Sequence, residues 1–165
     1  LGDVYKRQGI GGSSQTRHAT VAIDFLTYPG IKESDKTYLR ALDHLNPTHE
    51  YGVAFERGTR LTLDDRQTYF ISGTASIDRH GNVLYLGDVE RQTHRLFDNI
   101  DALLKDGGAG LNDVKYFLIY LRDLSDRAVV EDYMRRHFPS TPFITLLARV
   151  CRPEWLIEME CIAER

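Results

Sequence analysis

Tyr69-Phe70-Ile71 runs apolar and aromatic into Ser72-Gly73-Thr74-Ala75-Ser76, and this abrupt loss of side-chain bulk constrains the fold more than any other feature of the chain. Aromatic and β-branched residues suit a pleated, half-buried surface, whereas consecutive small residues leave the backbone open to close approach. The stretch reads as a buried strand that stops where a small molecule can enter. Ser72, Gly73 and Thr74 are then where a ligand could approach the backbone, and Tyr69 is either core or a ring beside that approach.

The segments around this strand alternate in period. Strands are expected near Tyr51 to Phe55, Thr59 to Leu63 and Thr68 to Ser72, with Asp64-Asp65 as a hairpin turn between the last two. Asp88 can cap a helix carrying Val89, Leu96, Phe97, Ile100, Leu103 and Leu104 at three- and four-residue spacing, ended by Gly107-Gly108. Val114 to Leu121 is a nearly continuous apolar run, as a central strand requires. Asp126 is the expected cap of a second helix with Val129, Val130, Tyr133, Met134 and Phe138 inward, broken at Pro139 and Pro142. Two final strands, Phe143 to Cys151 and Trp155 to Ala163, are expected to form a hairpin about Arg152-Pro153-Glu154. The order predicts an α+β domain with two helices on one face of a mixed sheet. Its other, apolar face must then be buried against a second domain or subunit.

Upstream the pattern is less regular. Residues 1–8 read as non-native, adapter-derived sequence, and Gly9 to Ser14 as a flexible turn. His18 to Leu26 alternates like a strand that Tyr28-Pro29-Gly30 stops. From Ile31 to Asn46 the signals are mixed, with Tyr38, Leu39, Leu42 and Leu45 marking a short helical turn that Pro47 ends. The chain thus divides into 1–8, a tail and linker over 9–50, and one complete domain over 51–165.

With 42% hydrophobic and 27% charged residues in 165, one substantial core is affordable. A net charge of -3 without a Lys/Arg-rich run argues against nucleic acid as a partner. No apolar run approaches the roughly 20 residues of a membrane helix, which argues against a membrane partner. Two cysteines, Cys151 and Cys161, give no disulfide framework and fit a reducing cytoplasm. Six histidines fall at no metal-ligand spacing, so neither a metal nor another cofactor is expected. Arg57 and Arg122 lie at strand ends, where an exposed arginine is commoner than an anion ligand.

Four pieces together carry a family likeness: Tyr51-Gly52-Val53-Ala54-Phe55-Glu56-Arg57-Gly58, Ser72 to Ile77, Gly87-Asp88-Val89 with Gln92, and Cys151-Arg152 leading to Leu156-Ile157-Glu158-Met159-Glu160. From about Tyr51 to Arg165 they resemble the Rid (YjgF) superfamily, and within it the C-terminal domain of the chorismatase branch. The resemblance implies a chorismate mutase-like fold preceded by the tail of a second, degenerate Rid-like domain. It also implies a trimer, or a pseudo-oligomer with that upstream domain, with pockets between neighbours. The implied reaction is hydrolysis of the enolpyruvyl ether of chorismate with release of pyruvate. Asp78 and Gly81 follow the plainer Rid pattern instead. Where imine deaminases of the superfamily carry an arginine that grips the substrate carboxylate, this chain reads Pro139-Ser140-Thr141-Pro142-Phe143. A Rid-type enamine or imine deaminase and a non-catalytic binding or assembly module are the alternatives.

The chemistry can be argued from the residues. A small anionic carboxylate with a vinyl ether needs cations for its carboxylates and an acid that protonates the vinyl carbon before water attacks. Glu158, between Ile157 and Met159, is the expected acid, since desolvation raises a carboxyl pKa toward neutrality. Glu160 shares its strand face and can couple to it. The expected hairpin sets Arg149 opposite Glu158 and Arg152 opposite Trp155, with Cys151 on the Arg149 face. Arg149 and Arg152 are then the expected carboxylate ligands, and Cys151 lines the pocket or is inert packing. The competing reading makes Glu158 and Glu160 the wet face of an edge strand, with Arg149 their salt-bridge partner.

Overall fold

A computed structural model describes residues 27–165. In chain order they form β1 (Lys36–Leu39), β2 (Gly58–Leu63), β3 (Arg66–Thr74), α1 (Val89–Asp106), β4 (Val114–Leu121), α2 (Arg127–His137), β5 (Phe143–Leu147) and β6 (Ile157–Glu164). The strands make one sheet in the order β1-β2-β3-β6-β4-β5, antiparallel except between β4 and β5. The fold is the expected α+β mixed sheet with two helices. The readings made for residues 1–8 and for a strand at 18–26 lie outside the described residues.

Local chemistry explains the elements that were legible. β2 and β3 join through Asp64-Asp65, and Asp64 takes φ 54°, a left-handed conformation that Asp tolerates better than most residues. Asp88 caps α1 by accepting from Arg91 N at 2.9 Å. Leu96, Ile100, Leu103 and Leu104 on the following turns are fully buried. Gly107 ends α1 for a packing reason: a Cβ there would lie 2.7 Å from the Tyr69 ring and 2.9 Å from Leu39. On the sheet, Tyr69 and Ile71 of β3, Phe117, Ile119 and Leu121 of β4, and Ile157, Met159 and Cys161 of β6 are buried at alternate positions and share the core with α1. On the opposite face, Tyr116, Ile144 and Leu146 remain exposed.

Four expectations need correction. Tyr51 to Phe55 is not a strand, because a 3-10 turn at Thr48–Tyr51 ends on Gly52 with φ 78°. Residues 36–50 are not a linker: Lys36–Leu39 pairs with β2 as the sheet's edge, and Leu39 and Leu45 are fully buried in the core. Asp126 makes no side-chain cap on α2; Asp123 instead accepts from Ser125 N and caps the 3-10 turn before it, while Val129 is exposed. The last two strands do not form a hairpin. β5 pairs in parallel with β4 after the α2 crossover, and β6 runs between β3 and β4. Arg152-Pro153-Glu154 lies inside the connection from one to the other.

Candidate active site

Alternation along β6 turns Ile157, Met159 and Cys161 to the helices, and Glu158 and Glu160 to the other face. Both glutamates are nonetheless buried, Glu158 at 1% exposure and Glu160 at 8%. The wet edge-strand reading fails because β6 is an interior strand, walled by β3 and β4. Neither carboxyl oxygen of Glu158 has a hydrogen-bond partner. Burial and the neighbouring Glu160 charge push its pKa from the ordinary 4.5 up to about 7, against the pull of the Arg57 guanidinium.

A defect in β3 makes room for this carboxyl. Ile71 pairs with Cys161 and Thr74 with Met159, so β3 uses one more residue than β6 across Ser72-Gly73. This bulge re-aims the local side chains. Gly73 then supplies the space: a Cβ on it would sit 3.0 Å from Glu158 Cδ and closer still to Oε1. Thr74 Oγ1 donates to Ser72 O at 2.8 Å across the bulge, and Ser72 Oγ donates to Glu56 O at 2.6 Å.

Arg57 completes the cluster. Ser72 N donates to Arg57 O at 3.0 Å, which continues the β2–β3 pairing one residue past β2 and sets Arg57 beside Ser72. Far from being an exposed strand-end arginine, it is 6% exposed, with Nη2 donating to Asn46 O and Asn46 Oδ1, both at 3.0 Å. Its guanidinium carbon lies 5.3 Å from the Phe55 ring centre. A buried acid held near neutrality, an interrupted strand and a buried cation can together protonate an electron-rich carbon of a small anion.

Of the residues singled out from sequence, Ser72, Gly73, Thr74, Glu158 and Glu160 come together here. Tyr69 does not: it is fully buried beneath α1, with Oη 2.7 Å from Gln67 Oε1 and 3.0 Å from Gly107 O. Tyr120 of β4, not Arg149, stands opposite Glu158. Arg149 and Cys151 are exposed on the connection before β6. Arg152 donates to Gly81 O at 2.8 Å and lies over the Trp155 ring at 5.2 Å, a contact within the turn rather than across a ladder.

Two residues that steady this connection were not recognised as site residues. Gln92, fully buried on α1, donates to Glu154 O at 3.0 Å and Tyr85 O at 3.2 Å and accepts from Leu156 N at 2.9 Å. Arg122 donates to Trp155 O and Val150 O at 2.9 Å and to Arg152 O at 2.6 Å. Gln92 was detectable as a polar residue on the buried helix face; Arg122 carries no such signal.

The family model described as Endoribonuclease L-PSP matches residues 55–165. A RutC family protein of Pyrococcus abyssi is 36% identical over 96 residues, 57% of this chain and 76% of that protein. The 3-aminoacrylate deaminase RutC of Acinetobacter baylyi is 28% identical over the same shares of the two chains. A chorismatase crystal structure superposes with a TM-score of 0.70 at 23% identity, over 78% of this chain and 43% of that one. Among the described residues, no helix is long and apolar enough to cross a membrane.

Proposed function

The chain belongs to the endoribonuclease L-PSP (Rid) family, and from that premise we propose that it is a chorismatase-type hydrolase that cleaves the enolpyruvyl ether of chorismate and releases pyruvate. The observation that carries this reading is the Glu158 carboxyl, buried, without a hydrogen-bond partner and pushed up to about 7. An acid with that pKa is half protonated near neutral pH, so it still holds a proton to give to carbon where an ordinary carboxyl has lost it.

Glu158 transfers its proton to the terminal methylene of the enol ether, the double bond becoming a methyl group and an oxocarbenium ion. The new Glu158 carboxylate, with Glu160 beside it, stabilises that cation. Water attacks the oxocarbenium carbon and returns a proton to Glu158. The hemiketal collapses to pyruvate and the ring alcohol. Arg149 and Cys151, on the connection leading into β6, are the candidates for contact with the ring end of the substrate.

Enamine deamination is the second reading, favoured by the relative named as a 3-aminoacrylate deaminase. An enamine accepts a proton on carbon in the same way, and water then displaces ammonia. Incubation with chorismate and, separately, with 3-aminoacrylate distinguishes the two. Pyruvate from chorismate is the expected result. Ammonia alone moves the function to the second reading, and neither product leaves a binding module in which Glu158 is dispensable.

A further inference from the structure

We propose that the cavity at the C-terminal end of α1 is a second binding site, for a small amino carboxylate whose carboxylate sits on Arg60 and Arg165 and whose ammonium sits at Asp65. Glu158 lies near the start of β6 and Arg165 just past its end, about 23 Å apart along an extended strand. The site is therefore separate from the Glu158 chemistry, and neither reading depends on the other.

The cavity has a volume of about 430 Å³, enough for a small ligand. Arg60 reaches it from β2, Asp65 from the turn after that strand, Gln67 from β3, Arg165 from the residue following β6, and Gly107-Gly108 from the end of α1. The two guanidiniums are braced without being neutralised. Arg60 donates from Nη1 to Gly107 O at 2.9 Å and from Nη2 to Thr37 Oγ1 at 3.0 Å, and its buried Nε has no partner. Arg165 donates from Nη1 to Gly108 O. These acceptors are all uncharged, and among the described residues neither arginine forms an ion pair. The carbonyls at the end of α1 carry the negative pole of the helix dipole, roughly half a charge against two full ones. Excess positive charge with unused N–H groups suits a carboxylate, which can accept parallel bonds from a guanidinium. Gln67 adds a neutral donor: Tyr69 Oη lies 2.7 Å from its Oε1, which leaves the amide nitrogen unused. Asp65 sets the other half of the ligand. Its carboxylate lines the same cavity, is exposed, and pairs with no cation among the described residues. It repels a plain anion from that end and attracts an ammonium. Both signs in one cavity favour a zwitterion over a simple anion or a simple amine.

The test is an NMR titration of the isotope-labelled chain, followed through its backbone amide shifts. Glycine, 4-aminobutanoate and 6-aminohexanoate are the probes, with butanoate and butylamine as controls that each carry one charge. At least one probe should move the amides of Gln67, Gly107 and Gly108 with a Kd of about 1 mM or below. It should bind about fivefold or more tightly than either control, because each control lacks one of the two charge contacts. R165Q and D65N should each weaken that probe about fivefold. R60Q should abolish the shifts. If R60Q does not fold, since Arg60 also ties β1 to the end of α1, R165Q and D65N still decide. A control that binds as tightly as the best probe, or wild-type affinity in R165Q or D65N, would overturn the proposal. So would shifts confined to other residues, or none at about twenty times the expected Kd.

Discussion

Glu158 holds a proton in the folded protein between an ordinary 4.5 and about 7 that the unfolded chain has already released. Stability from that proton is complete below the lower value, declines as pH rises, and is lost above the upper one. At 1.36 kcal/mol per unit, the loss amounts to about 3 kcal/mol. Glu158→Gln stays neutral, so it should be more stable than the wild type by up to about 3 kcal/mol in urea titrations near pH 8, and no more stable near pH 4. The same substitution should lower turnover of chorismate by on the order of 100-fold or more, because an amide cannot supply the proton. Wild-type turnover should itself fall roughly tenfold per unit as pH rises past about 7. Unchanged turnover in folded Glu158→Gln would remove the acid. Gly73→Ala tests the seat beneath it. The added Cβ must displace the carboxyl toward a wetter position, so turnover should drop and its alkaline limb should move to lower pH. A pH profile like that of the wild type would show that the glycine does not seat the carboxyl.

The connection from residue 148 to 156 is the element on which the site depends without being part of the sheet. Arg122 holds it through three backbone carbonyls, so Arg122→Met should cost about 2–4 kcal/mol and speed amide exchange in 150–156 before it affects α1. Protection unchanged in that segment would contradict this role. The same connection explains what the sequence did and did not disclose. Asp88 could be read because a cap is local chemistry. Glu158 could be read because a carboxylate between Ile157 and Met159 is conspicuous at any register. Strand partnership could not. Phe143 to Leu147 and Ile157 to Glu164 are both apolar enough to pair, and Pro153-Glu154 has the composition of a tight turn. Parallel pairing after α2, a long-range event, decides the matter. Arg149 was misplaced for that reason alone. Arg57 was missed for a related one: what buries it is Asn46, eleven positions away in a segment taken for linker.

At the scale of the whole molecule, the sheet face opposite the helices is half clothed. Ile144 is 51% exposed and Leu146 38%, on strand β5 beside Tyr116 at 38%. An apolar face of this kind is expected to be shared, and light scattering at micromolar concentration should report a multimer. Ile144→Glu with Leu146→Glu should give a monomer with the helix-side core intact; a wild-type monomer would remove the expectation. The order of strands across that sheet has a temporal meaning as well. Among the described residues β6 is the last strand in sequence but fills the gap between β3 and β4, and it carries Glu158. Until it emerges from the ribosome, β1-β2-β3 and β4-β5 have no ladder in common, and their facing edges are open to other chains. A nascent chain stalled before Ile157 would be a substrate for chaperones and proteases and would have no acid to offer. Glu158, the proposed proton donor, and the sheet's closure arrive in the same eight residues, so a chain of this fold that has closed its sheet already carries that buried carboxyl.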